Sequence, residues 1–239
     1  MLTRLAAYRC ISILILPFSA RAQGSHATEE WTAYGHDQLG GRFSPASQIN
    51  RTNVSQLTPA WTYRTGEIDV PTRRPAKLET TPLMVEGTLY LSTPLGKVVA
   101  LDPSSGAVRW KFETPINPQG SWGDFANRGV STWLDVRAPI RSTCRRRIYY
   151  SSIDARIIAL DARTGAVCRN FGAAGTVNLR VGLRNAPFEL GEYQLTSPPA
   201  VIRGMIVTGS SVADNNRTNA ASGEVRGYDA RTGALRWSW

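Results

Sequence analysis

The alternation of apolar and polar positions along the chain repeats three times. VVALDPSSGAVRWKF (98–112), IIALDARTGAVCRNF (157–171) and VRGYDARTGALRWSW (225–239) share one layout. Each runs from a short apolar stretch into an aspartate (Asp102, Asp161, Asp229). A polar turn with glycine follows (Gly106, Gly165, Gly233), then a second alternating stretch. An Asp carboxylate can accept backbone N–H groups two residues on, and Gly takes the left-handed conformation that closes such a loop. Beyond the turn, a period of two puts Val108, Trp110 and Phe112 on one face. Val167, Arg169 and Phe171 match them in the second copy, and Leu235, Trp237 and Trp239 in the third. The pattern predicts three β-hairpins, each with one apolar face.

A further strand pair is expected before each hairpin. TTPLMVEGTLYLST (80–93) and TSPPAVIRGMIVTG (196–209) share the order Thr, Pro, apolar strand, glycine turn, apolar strand, and RRIYYSS (146–152) holds that place in the middle copy. Four strands per unit, at a period of roughly 60 residues, describe the blades of a β-propeller. No amphipathic helix of convincing length interrupts them. The expectation is an all-β fold, a β-propeller of four-stranded blades with about three blades present. Closed propellers use about four to eight blades. A ring cut after Trp239 would leave blade faces and strand edges open to water. Residues 23–239 are therefore expected to be the N-terminal part of a larger propeller.

The first residues call for a different reading. Arg4 and Arg9 precede the apolar run Cys10–Phe18, and Ala20-Arg21-Ala22 offers a small-x-small cleavage site before Gln23. The run is about half the length of a bilayer span, so residues 1–22 are expected to be a secretory signal peptide and the mature protein to be periplasmic. Export leaves Cys144 and Cys168, which can pair in an oxidising compartment or stay as buried thiols. The formal net charge is +10, and removing the signal leaves +7. Arg145-Arg146-Arg147 is the one tight basic run. Scattered arginines fit a solvated surface better than a nucleic-acid footprint, and a basic surface suits an anionic membrane or an acidic cofactor. His26 and His36 have no His or Cys at metal-ligand spacing, so histidine-based hydrolytic chemistry has almost no support. Carboxylates, arginine, amides or a bound cofactor must carry any chemistry.

WTAYGHDQLGGRFSP (31–45) and QINRTNVSQLTPAWTYRTGE (48–67) resemble the opening signature of the pyrroloquinoline-quinone (PQQ)-dependent dehydrogenases. The tryptophans of the repeats look like that family's docking motifs between adjacent blades. LETTPLMVEGTLYLSTP, ANRGVSTW, RRIYYSSIDARIIALDARTG and YQLTSPPAVIRGMIVTGSSVADN resemble its glucose and quinate branch, and the likeness runs from Trp31 to Trp239. The resemblance implies an eight-bladed ring holding PQQ and Ca²⁺ (or Mg²⁺) near its axis. It implies oxidation of a sugar, polyol or alcohol, with electrons passed to a quinone or cytochrome; the basic surface leaves a peripheral membrane association open. It matches Glu79 to a carboxylate beside the cofactor and Arg128 to a partner of a PQQ carboxylate. Thr196 and Ser211 match hydroxyl donors, with the Val212 amide beside them, and Asp214 matches the metal ligand, with Asn215 as a second oxygen donor. A tricarboxylate needs such cations and donors, an Arg fork can give it two parallel bonds, and a hard cation takes oxygen ligands.

Departures from the pattern qualify the resemblance. Trp122-Gly123 stand where alcohol dehydrogenases of the family carry adjacent cysteines, which favours the glucose-type branch. Asp124 stands where relatives of glucose dehydrogenase often have histidine, which weakens a specific preference for glucose. The family's general base and the Lys or Arg near its quinone oxygens match no residue of this chain, so no catalytic residue is assigned. Two alternatives remain at this level. One is a non-catalytic propeller scaffold of the outer-membrane assembly type; the other is a degenerate product that binds no cofactor. The five positions at family spacing argue against a scaffold.

Overall fold

The computed structural model describes residues 29–37, 39–213, 215 and 217–239. The expected signal peptide, Cys10, His26 and Asp214 lie outside the described residues.

Chain order sets the architecture. Strand β1 (Lys77–Thr81) is followed by β2 (Leu83–Val85), β3 (Thr88–Ser92), β4 (Lys97–Leu101) and β5 (Val108–Glu113), and β2–β5 form one antiparallel sheet. The second sheet comprises β6 (Ala126–Leu134), β7 (Arg146–Ser152), β8 (Arg156–Asp161) and β9 (Thr176–Asn178), with β1 added as a fifth strand beside β6. Strand β10 (Tyr193–Gln194) precedes β11 (Ala200–Ile202), β12 (Met205–Thr208), β13 (Ser211–Val212), β14 (Arg226–Asp229) and β15 (Leu235–Ser238). β11, β12, β14 and β15 make the third sheet, while β10 and β13 pair separately. These are three four-stranded blades of a β-propeller. Helical structure among the described residues is confined to short 3₁₀ turns such as Val54–Gln56.

Strand alternation explains why the blades stack. On β3, Tyr90 points into the layer between the first two blades, while Leu89 and Leu91 pack on the other face against Trp61 and Tyr63. On β7 and β8, Ile148, Tyr150, Ile158 and Leu160 face the first blade, whereas Tyr149, Ile157 and Ala159 face the third. Every sheet must bury two apolar faces, which a single blade cannot do.

The three aspartate turns act as expected. Oδ1 of Asp102, Asp161 and Asp229 each accepts two backbone N–H groups of its own turn, at 2.8–3.1 Å. The tryptophans then tie one blade to the next. Trp61 Nε1 donates to the Pro103 carbonyl at 3.0 Å, and Trp110 Nε1 donates to the Ala162 carbonyl at 2.8 Å. Their rings cover Gly106 and Gly165, where a Cβ would come within 2.6 Å of the indole. Glycine is needed there for both its positive φ and its missing side chain.

The middle repeat departs from the expected hairpin. Val167–Phe171 forms only a bridge from Val167 to Leu160, and the fourth strand of the blade is β9. Asn-Phe-Gly-Ala-Ala-Gly at 170–175 explains this, because Gly172, Ala174 and Gly175 all have positive φ and turn the chain before it can pair. Arg169, at the tryptophan position, is exposed. Buried Arg147 and Tyr149 replace the missing indole: the Tyr149 hydroxyl and Arg147 Nη1 donate to the Ala230 carbonyl, and Nη1 also donates to Arg231 at 2.6 Å. Cys168 stands where the other copies have Arg109 and Arg236, each of which binds its own turn aspartate through Oδ2. Here Asp161 Oδ2 accepts the Cys144 N–H instead, and Cys144 is disulfide-bonded to Cys168 with Cα atoms 5.8 Å apart.

Candidate functional site

Successive connections in an antiparallel blade alternate between its two ends. The 114–125, 179–192 and 209–225 connections therefore lie at one end, and most of the expected site residues lie on or beside them. Arg128 is carried by β6, which Asn127 fixes in place. Asn127 accepts from the Ser92 hydroxyl at 2.5 Å and donates to the Ser151 carbonyl at 3.1 Å, bonding β3 of the first blade and the neighbouring strand β7. Gly129 follows with φ +133, and a Cβ there would stand 3.0 Å from the Thr81 carbonyl. Its absence lets β1 run parallel to β6, with Thr81 opposite Gly129. That pairing brings Glu79 to Arg128.

One guanidinium nitrogen carries the resulting ion cluster. Arg128 Nη2 lies 2.8 Å from Glu79 Oε2 and 2.9 Å from Asp124 Oδ2. Lys77 reaches the other oxygen of Asp124 at 3.0 Å. These two cations, Lys77 first, hold the Asp124 carboxyl below its ordinary value. Arg128 is half-buried and lines a cleft of about 510 Å³ with Tyr34, Asp37, Ser131 and the Ser197–Ile202 segment. Its main-chain N–H donates to the Thr196 carbonyl at 2.9 Å. Thr196 and Ser211 line a neighbouring cavity of about 410 Å³, which shares Ser197, Pro198 and Ala200 with the first. Glu79, Arg128 and Thr196 are thus brought together, while Ser211 stands across the Ser197–Pro198 wall from Arg128. Val212 is half-buried opposite Tyr193 in the β10–β13 pair.

Asn215 is exposed, and Asp214 lies outside the described residues. A clamp joins Ala213 and Arg217 to Glu192. Arg217 makes two 2.9 Å bonds to the Glu192 carboxylate, its guanidinium stacks 3.8 Å above the Phe188 ring, and Ala213 N–H donates to the Glu192 carbonyl at 3.0 Å. Burial pushes the Glu192 carboxyl up, but the Phe188 N–H and Arg217 outweigh it and leave it below the ordinary value. Among the described residues no cluster of three or more His, Cys, Asp or Glu side chains is placed to hold a metal.

Sequence reasoning missed the clamp, the pairing of Asp124 with Arg128 and the part of residues 32–37 in the cleft. WTAYGHD is a signature in the sequence, but no periodicity places it in one cleft with Arg128.

Comparison with known proteins gives the chain a family. Residues 31–239 match the PQQ family model described as the β-propeller domain of glucose/ethanol/alcohol dehydrogenases. The chain belongs to that family. It is 37% identical over 226 residues to the quinoprotein glucose dehydrogenase of Escherichia coli (strain K12), covering 92% of this chain and 28% of that protein. It is 37% identical over 224 residues to the quinate/shikimate dehydrogenase (quinone) of Acinetobacter baylyi, covering 87% and 27%. The solved quinohemoprotein alcohol dehydrogenase of Comamonas testosteroni superposes with a TM-score of 0.68 at 29% identity, covering 89% of this chain and 27% of that one. The chain therefore spans somewhat over a quarter of the length of these relatives.

The residues present suit a flat, polyanionic cofactor. Buried polar atoms normally find partners, yet Thr80 Oγ1, Ser210 Oγ and Gln194 Oε1 have none within the protein. They adjoin Glu79, Ser211 and the β10–β13 pair. Ser210 lines the second cavity with Thr196 and Ser211, and Arg128 lines the first, so a guanidinium and hydroxyl donors face the two cavities, which a carboxylate-bearing quinone requires. No helix among the described residues is long and apolar enough to cross a membrane.

Proposed function

We propose that this chain forms the N-terminal part of a periplasmic quinoprotein dehydrogenase, with residues 1–22 as its export signal, and supplies one wall of its PQQ site. The observation that carries this reading is the Arg128 cluster: a guanidinium held by Glu79 and Asp124 at a cleft rim, beside an array of hydroxyls without protein partners. Arg128 would pair with a PQQ carboxylate, using N–H groups other than the Nη2 pair committed to Glu79 and Asp124. The Thr196 and Ser211 hydroxyls and the Val212 amide would hydrogen-bond the cofactor's remaining acceptors, and Glu79 would keep the guanidinium in place. Asp214 and Asn215 would supply oxygen ligands to Ca²⁺ or Mg²⁺. When bound, PQQ supplies the quinone that accepts two electrons from a C–H bearing a hydroxyl. This chain binds and orients in that reaction, and no catalytic base is assigned to it. The substrate class is a sugar, polyol or alcohol, and the acceptor a quinone or cytochrome, with the protein peripheral to the membrane.

The family match and the cation-and-hydroxyl lining support this reading over a scaffold role. Reconstituting the full-length protein with PQQ and Ca²⁺, and following reduction of an artificial dye with aldoses, polyols, quinate and simple alcohols, tests it. Turnover that requires PQQ is expected. Absence of turnover with every substrate, in protein shown to be folded, would overturn the enzyme assignment.

A further inference from the structure

The other end of the blades carries a second charged feature. There the β2–β3 turn, the 135–145 connection and the aspartate turns of the first two blades enclose a cleft of about 410 Å³. Arg109, Arg141, Arg145, Arg146 and Arg163 line it. The carboxylates around it are already engaged. Glu86 pairs with Arg146 at 2.7 Å and Asp102 with Arg109 at 2.8 Å, while buried Asp161 is saturated by N–H groups of its own turn and of Cys144. Among the described residues no carboxylate lies within 4.0 Å of Arg141, Arg145 or Arg163. The cleft therefore keeps three guanidiniums with no carboxylate partner, its arginines outnumbering the carboxylates of Glu86, Asp102 and Asp161, and Arg137 lies on the same connection.

Aliphatic side chains accompany the charge. Ile140 lines the cleft and is 81% exposed, and Val136, five residues before Arg141, is 75% exposed. Single exposed aliphatic residues need no explanation, but two on one short basic loop are a specific combination. The loop is closed on itself by Asp135 N–H to the Arg145 carbonyl at 2.7 Å and Ser142 N–H to the Pro139 carbonyl at 3.1 Å. The Cys144–Cys168 bond fixes its base.

We propose that this arginine cleft and its aliphatic rim dock the protein on an anionic phospholipid surface. Guanidinium forks match phosphate oxygens, and aliphatic tips beside them match the hydrocarbon just beneath a headgroup layer. An acidic protein partner or a free anion would use the arginines but leave Ile140 and Val136 without a role. Docking by this end leaves the candidate cofactor site, at the opposite end of the blades, open to substrate. The proposal deepens the peripheral membrane association named above. Its test reads lipid binding and needs no PQQ, so its failure is distinguishable from failure of the dehydrogenase assignment.

The experiment is flotation of the full-length protein with vesicles of phosphatidylcholine alone, or with about one third phosphatidylglycerol, at low and high salt. Binding to the anionic vesicles alone is expected. Each arginine near such a surface is worth about fivefold in affinity, so Arg141→Glu/Arg163→Glu should lower binding by at least about 25-fold. Ile140→Asp should weaken it as well. Arg73→Glu, at the opposite end where Arg73 bonds Ser121, should leave it unchanged. Near-ultraviolet circular dichroism checks that each variant is folded, and Arg141→Gln/Arg163→Gln replaces the reversal pair if that one is not. The proposal is overturned by equal binding to neutral vesicles, by no binding to either, by insensitivity to the arginine pair or to Ile140→Asp, or by loss in the Arg73 variant equal to that in the pair. Release by millimolar inorganic phosphate at constant ionic strength would indicate a single-anion site and also overturn it.

Discussion

Asp229 and Asp102 do the same work in different blades, and both are held well below the ordinary carboxylate range. Asp102 lies at about 2, chiefly through its bond from Arg109 and those from Ser105. For Asp229, burial pushes upward, but Arg236 and the Thr232 donors outweigh it and bring it to about 2. A depressed carboxyl stabilises the fold above its unfolded value, near 4, and loses that contribution as pH falls through its folded value. The thermal midpoint should therefore be flat above about pH 5 and fall between about pH 4 and 2. Differential scanning calorimetry across that range checks this, and a midpoint that held constant to pH 2 would contradict it. Glu192 offers a second test at this scale. Glu192→Ala leaves Arg217 with no carboxylate on its guanidinium and should loosen the backbone at Ala213 and Arg217. Amide hydrogen exchange there is expected to rise at least about tenfold, the loss of a charge-assisted bond of roughly 1.5–3 kcal/mol, while exchange in β7 and β8 stays as in the wild type.

At the scale of elements, the repeat was legible because local chemistry fixes each hairpin: an aspartate that caps its own turn, a glycine with positive φ, and alternation beyond it. The middle copy misled where that local rule competed with stronger turn formers. Gly172 and Gly175 end the expected strand, and Val177 completes the sheet. Arg147 was equally hard to read, since one member of an arginine run looks like surface charge. Its burial depends on the Ala230 and Arg231 carbonyls more than eighty residues away. The equivalence of Trp110 and Arg169 gives a comparison. Trp110→Ala should cost about 3–5 kcal/mol, because it empties a buried inter-blade contact. Arg169→Ala, at the aligned but exposed position, should cost less than about 0.5 kcal/mol. Urea unfolding measures both, and similar costs would show that the indole is not what joins the first two blades.

For the whole molecule, the propeller class was legible in the sequence, and of the seven expected site positions the structure brings Glu79, Arg128 and Thr196 together. What the sequence hid is non-local. The parallel β1–β6 pairing brings Glu79 to Arg128, the 32–37 segment covers their cleft, and Asp124 shares the guanidinium. The structure also separates two ends of the blades, a donor-rich end and an arginine-lined end, which composition alone merges into one net charge. The relatives named above are more than three times as long as this chain.

The central claim is that Arg128 and the surrounding donors hold PQQ. Isothermal titration of the metal-loaded, cofactor-free full-length protein with PQQ tests it most directly, comparing wild type with Arg128→Ala. Stoichiometric binding to the wild type is expected, with a dissociation constant raised about 10- to 100-fold in the variant for a lost charge-assisted bond of roughly 1.5–3 kcal/mol. Equal affinity in the two proteins, with both folded, would contradict it.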